Sequence, residues 1–180
     1  PGDIEKYGSK FIIDKVIDGG LNTVIFTIKT YRDNRKFAAG EIPKSSFDKN
    51  LNFLKSLIYE AHNKDVKVYV AFSTLYDYRM SGLYPEWKHY NLYPIDFISP
   101  CVNEYKEYLK HLLEKLVTNY DINGVILAGL YFPHTSELNN MEKENICDRY
   151  NHDLNWKDQI ITDYARDLAE VVNNHCLSCD

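Results

Sequence analysis

The chain of 180 residues is predicted to be an α/β protein built on a parallel sheet, and three observations predict it. Helical and strand-like segments alternate along the sequence. The strand-like segments are nearly continuous in apolar, β-branched residues, as expected of strands buried on both faces. The connections are lopsided: helix-to-strand links are short (Gly19-Gly20, Lys64-Asp65, Asp121 to Asn123), whereas strand-to-helix links run to roughly 15 to 25 residues against a usual two to six. Spare chain therefore gathers beyond the carboxyl ends of the strands, where α/β folds build their sites.

The elements follow in order. Ser9 to Asp18 carries Phe11, Ile12, Val16 and Ile17 at helical spacing and stops at two glycines suited to a left-handed helix exit. "LNTVIFTIK" is the first strand. Phe47 to Asn63 puts Phe47, Leu51, Leu54, Leu57, Ile58 and Ala61 on one helical stripe, and "VKVYVAF" is the second strand. From Ser73 to Ile98 periodicity gives way to Tyr, Pro and Gly. Ser99-Pro100 has the form of a helix start, Ser as N-cap and Pro at the first helical position. Val102, Tyr105, Leu109, Leu112, Leu113, Leu116, Val117 and Tyr120 then repeat at three- and four-residue steps. "GVILAGL" is the third strand, Tyr131 to Asn155 reads as a polar loop, and Trp156 to His175 is a last helix with Ile160, Ile161, Tyr164, Leu168 and Val171 inward.

Composition narrows the function classes. A formal net charge of -5 and the lack of any Lys/Arg block argue against nucleic acid as a partner. The longest apolar runs fall far short of a membrane span. No Gly-rich phosphate loop follows a strand, so a doubly wound nucleotide-binding module is disfavoured. Cys176-Leu-Ser-Cys179 lacks the following helix or second ligand pair that redox or zinc chemistry needs, and the four cysteines are expected to be ordinary thiols or one disulfide. No metal and no cofactor is expected. Three strands leave two apolar edges that something must pair with, so the chain is expected to be a segment of a larger closed barrel or to have its edges covered by other chains.

Four stretches carry a resemblance. "GGLNTVIFTIK", "LIYEAHNKDVKVYVAF", "PEWKHY" with "ISPCVNEYKEYLKHLLEKLVTNYDINGV", and "LYFPH" are similar, in order and spacing over most of Phe11 to His134, to motifs of the family-10-like group of glycoside hydrolases. That resemblance implies a (β/α)8 TIM-barrel type fold, here an incomplete barrel of about four β/α units treated as a single domain over residues 1–180. It also implies a polysaccharide or oligosaccharide partner and an extracellular or cell-surface location.

The sequence departs from the family where chemistry is expected. The group usually ends this third visible strand in two consecutive Asp, and by position these fall on Ala128 and Gly129, which cannot exchange protons; Ile126 stands where the family often has His. Glycosidases need two carboxyl groups flanking the scissile bond. The remaining candidates are loop carboxylates, among which Asp77 and Glu137 form the most plausible catalytic pair. Lys29, at a strand end, points into the barrel mouth as a substrate contact or pairs with a nearby carboxylate. Tyr31, Tyr76, Trp87, Tyr131 and His134 are the expected substrate contacts, with Tyr78, Tyr84, Tyr90 and Tyr93 in the same aromatic links, because flat rings with polar tips suit the faces and hydroxyls of sugars. Two function readings follow: a glycoside-hydrolase-like domain with relocated or lost catalysis, or a non-catalytic glycan-binding or cell-surface structural domain.

Overall fold

A computed structural model describes residues 2–29, 46–90, 97–131, 155–176 and 179. In chain order the elements are α1 (Gly2–Tyr7), α2 (Ser9–Asp18), β1 (Thr23–Lys29), α3 (Ser46–His62), β2 (Lys67–Ser73), α4 (Tyr78–Leu83), a single 3-10 turn (Pro85–Trp87), β3 (Lys88–Tyr90), β4 (Phe97–Ile98), α5 (Asn103–Asn119), β5 (Gly124–Ala128) and α6 (Trp156–His175). The main sheet is parallel, in the order β1-β2-β5. Its strands are neighbours in chain order, so both β1 and β5 are edges among the described strands.

Two of the three described helix-to-strand turns, those after α2 and α3, use the same backbone device. At the end of α2, Gly20 has φ 71°, its N–H donates to the Ile17 carbonyl at 2.8 Å, and the Leu21 N–H reaches back to Val16 O at 3.0 Å. At the end of α3, Asp65 takes φ 55° and the Val66 N–H reaches back to Ala61 O at 3.0 Å. A left-handed residue that folds the chain back over the last turn lets each helix stop sharply and hand over to a strand within a few residues. Asp is tolerated at such a position because its short polar side chain hydrogen-bonds locally.

The helices cover one face of the sheet. Phe26, Ile28, Val68, Val70 and Phe72 form a single core with Leu51, Leu54 and Leu57 of α3, Tyr105, Leu109, Leu113 and Leu116 of α5, and Tyr164 and Leu168 of α6. Each fully buried side chain of this kind contributes about 1.5–3 kcal/mol. The opposite face carries Ile25, Tyr69, Ala71, Ile126 and Ala128, and on it Ile25 is 58% and Ile126 40% exposed. The strands were expected to be buried on both sides; β1 and β5 are not, because no second layer among the described residues lies on that face.

Two further expectations are corrected. Helix α5 begins at Asn103, with Val102 as a cap that makes no side-chain hydrogen bond, rather than at Ser99-Pro100. Ser99 is tied to the adjoining hairpin by its N–H, which donates to Trp87 O at 2.8 Å, and its Oγ accepts from the Cys101 N–H at 3.3 Å, so a turn precedes the helix. The stretch after β2 is not irregular throughout. Asp77 caps α4, and β3 pairs antiparallel with β4. Cysteine pairing also exceeds the single disulfide expected: Cys176 is bonded to Cys179, and Cys101 is disulfide-bonded as well.

Candidate functional site at the carboxyl end of the sheet

The segment following β2 is held at the carboxyl rim by all its neighbours. The N–H and hydroxyl of Thr74 both donate to Ala128 O at the end of β5, each at 2.9 Å. The Ile98 N–H donates to Leu75 O at 2.8 Å, and Tyr76 bridges Phe97. Residues 73–77 thus join β2, β5 and the β3-β4 hairpin.

Beneath that segment lies a buried charge. The pairing register of β1 shifts between Thr27 and Lys29, so that consecutive residues Ile28 and Lys29 are both buried; such a bulge re-aims the side chain at a strand end. Lys29 Nζ donates to Ser73 O at 2.8 Å and to Tyr105 Oη at 3.2 Å, and pairs with Asp77 Oδ2 at 3.1 Å. Thr74 O and Tyr76 O lie slightly farther, at 3.5 and 3.4 Å. Three ammonium protons therefore meet three near acceptors. Asp77 is equally committed: Oδ1 accepts the Met80 N–H at 2.9 Å as the α4 cap, and Oδ2 lies 3.2 Å from Tyr105 Oη. Tyr105 has one proton, and the shorter contact, 2.6 Å to Thr74 O, takes it. Burial first, and then the Asp77 charge, hold the Tyr105 hydroxyl well above its ordinary pKa, so it stays a neutral donor.

Above that segment lies an aromatic cluster in which Phe97 is fully buried. Tyr76, Phe97 and Tyr131 meet with ring centroids 5.0 Å (Tyr76 to Phe97), 5.9 Å (Tyr76 to Tyr131) and 6.0 Å (Phe97 to Tyr131) apart, and the Tyr76 and Tyr131 hydroxyls touch. Burial, followed by that contact, raises the Tyr76 pKa. Tyr131 remains 47% exposed. Farther along, Tyr84 stacks on Trp87 at 4.0 Å with planes 14° apart. Trp87 is half-buried and its ring centroid is 6.2 Å from that of Tyr105, so the exposed ring of this pair is Tyr84.

The end of β5 is packed against the same aromatic cluster. Gly129 has φ +72°, and a Cβ added there would lie 2.8 Å from Tyr76 Cδ2. The Tyr76 ring fills the space in which a side chain from that position would begin. Ala128, beside it, is exposed but carries no ionisable group.

Of the residues singled out from sequence, the structure brings Lys29 and Asp77 into one buried cluster and Tyr76 and Tyr131 into one surface, with Trp87 beneath Tyr84. Tyr31, Glu137 and His134 lie outside the described residues. Sequence reasoning passed over Phe97 and Tyr105. Tyr105 sits on the buried stripe of α5 and reads as a core position, and only its hydroxyl, invisible to periodicity, would have marked it.

The fold, in turn, is similar to that of solved glycoside hydrolases. The chain is similar to α-L-fucosidase isoenzyme 2 from Paenibacillus thiaminolyticus, with 18% identity and a TM-score of 0.62 over 94% of this chain and 28% of that one. It is similar to a β-galactosidase from Rahnella sp. R3, with 8% identity and a TM-score of 0.65 over 99% and 33%. A hypothetical protein from Ruminiclostridium thermocellum ATCC 27405 matches at 14% identity and a TM-score of 0.65, over 97% of this chain and 91% of that one. No protein-family model matches the chain, and no curated protein matches it in sequence. The fold is glycoside-hydrolase-like, and the chain spans about a third or less of the two glycosidases, 28% and 33% of their lengths. No described helix is long and apolar enough to cross a membrane.

Proposed function

We propose that this chain is a carbohydrate-directed, glycoside-hydrolase-like domain that holds a polysaccharide on its aromatic rim and does not cleave it through the end of β5. The observation that carries the reading is Gly129. Acid/base hydrolysis needs two carboxyl groups about 5–10 Å apart across the scissile bond, and here the strand end that would supply one is a left-handed glycine under a tyrosine ring. Asp77, an acid described on the same rim, has both oxygens engaged, by Lys29 and by the Met80 N–H. What the rim offers instead is Tyr76, Tyr131 and Tyr84, with Phe97 buried behind the first two, and rings with polar tips suit sugar faces.

Kinship with the family-10-like group and a barrel segment are part of this proposal. The exposed face with Ile25 and Ile126 corresponds to the lumen side of such a barrel, and further barrel strands or other chains would cover it. An extracellular or cell-surface location is supported by the disulfides of Cys176, Cys179 and Cys101, since disulfides persist in oxidising compartments.

The test is a panel of soluble and insoluble polysaccharides read for retention and for new reducing ends. Saturable retention without reducing ends, weakened in Tyr131→Ala and Tyr84→Ala, is the expected result. Reducing-end release that disappears in Asp77→Asn or Glu137→Gln would establish the hydrolase instead.

A further inference from the structure

The proposed function leaves the buried charge cluster without a ligand to touch. Lys29, Asp77 and Tyr105 are each buried, and their polar atoms are matched to one another and to the carbonyls of residues 73, 74 and 76. A buried ion pair is seldom retained for stability, because desolvation offsets most of its attraction. Its geometry shows what it fixes. Segment 73–77 is bound from below by Lys29 of β1 and Tyr105 of α5, and from the side by Ala128 of β5, to which Thr74 donates twice. Ser73 Oγ donates to Tyr76 O at 3.2 Å, and Lys29 Nζ approaches the same oxygen at 3.4 Å. The Tyr76 backbone is therefore set by the cluster, and its ring lies against Gly129.

We propose that the Lys29–Asp77–Tyr105 cluster is a positioning unit: by fixing residues 73–77 it sets the Tyr76 ring over Gly129, so that Tyr76 and Tyr131, backed by the buried ring of Phe97, present one continuous surface to carbohydrate. The inference rests on the binding function above and reassigns two residues. Lys29 and Asp77, which the sequence suggests as a substrate contact and a catalytic acid, act through Tyr76 and never meet the sugar. Taking the ion pair away frees the segment, lifts the Tyr76 ring from Gly129 and separates its hydroxyl from that of Tyr131.

The experiment uses the full chain with two variants. Lys29→Met/Asp77→Asn removes both charges together and leaves Asn to cap α4, avoiding an unpaired buried charge. Tyr105→Phe keeps the ring and removes only the hydroxyl. Nitration of Tyr76 and Tyr131 by tetranitromethane, located by peptide mass, reports the surface directly, with Tyr84 as internal reference; retention on the best polysaccharide of the wild-type panel reports its use. In the double variant, Tyr76 is expected to nitrate about fivefold faster and retention to weaken about tenfold, the size of one lost aromatic contact, with Tyr84 unchanged; Tyr105→Phe shifts both in the same direction by less. Wild-type nitration in folded variants overturns the proposal, and so does faster nitration with unaltered retention. A wild-type chain that retains no polysaccharide defeats the binding function, and nitration alone then decides whether the cluster positions Tyr76.

Discussion

The ends of β1 and β5 lie on either side of β2 in one sheet, and they are finished in opposite ways. β1 ends in a charged side chain turned inward, with Lys29 engaged by Ser73 O, Asp77 and Tyr105. β5 ends in Ala128 and Gly129, with no ionisable side chain, and a tyrosine ring covers the glycine. In a hydrolase the rim charges face the substrate. Here the charge at the end of β1 faces the core, while the end of β5 is covered by an aromatic ring.

The largest expected effect breaks the β1 side of this contrast. Lys29→Met leaves Asp77 buried without its cation, and urea unfolding should show a loss of about 3–5 kcal/mol. The double variant Lys29→Met/Asp77→Asn should recover at least half of it. A single variant as stable as wild type would mean that the pair is not a desolvated unit.

The β5 side is tested by Gly129→Asp. A side chain that starts 2.8 Å from the Tyr76 ring costs about 1–3 kcal/mol for overpacking, added to a left-handed backbone that Asp adopts at smaller cost than most residues. Thermal unfolding should therefore shift down, and no hydrolysis should appear. Gain of reducing-end release in this variant would mean that the strand end still addresses substrate.

Alkaline titration sharpens the comparison from the protein's own groups. Tyr105, by burial and then by the Asp77 charge, and Tyr76, by burial and then by Tyr131, have folded pKa values above their unfolded value of about 10. A raised value contributes stability that is fully present below pH ~10 and is lost as pH climbs toward the folded value. Stability should fall with a slope of up to about 1.4 kcal/mol per pH unit for each group, and Tyr105→Phe should flatten it. The smallest stability effect belongs to Tyr84→Ala, which removes one stacked partner of Trp87 and costs about 0.5–1.5 kcal/mol. Its larger consequence should be on carbohydrate retention.

Much of the fold was legible because periodicity and punctuation agree. The stripe of Leu51, Leu54, Leu57 and Ala61 is buried as its spacing predicts, as are Ile160, Tyr164 and Leu168 of α6, and Gly20 makes the left-handed exit. What could not be read is one-sidedness: Ile25 and Ile126 have the side chains of a doubly buried strand, and only the placement of the helices shows which face is open. The α5 start was misread because Ser99-Pro100 has a helix-start signature but serves a turn fixed by the hairpin. At the rim, the sequence shows only that positions 128 and 129 carry no ionisable side chain. The bulge that turns Lys29 inward, the cap role of Asp77 and the Tyr76 ring over Gly129 are tertiary facts with no local pattern.

The account turns on what lies against position 129 when carbohydrate is bound. A crystal structure of the chain with an oligosaccharide cut from its preferred polysaccharide decides it. The account predicts a sugar ring stacked on Tyr131 or Tyr76, with Lys29 and Asp77 still paired beneath and no carboxyl group within hydrogen-bond reach of a glycosidic oxygen. A glycosidic oxygen held between two carboxyl groups, one of them Asp77 released from Lys29, would contradict it.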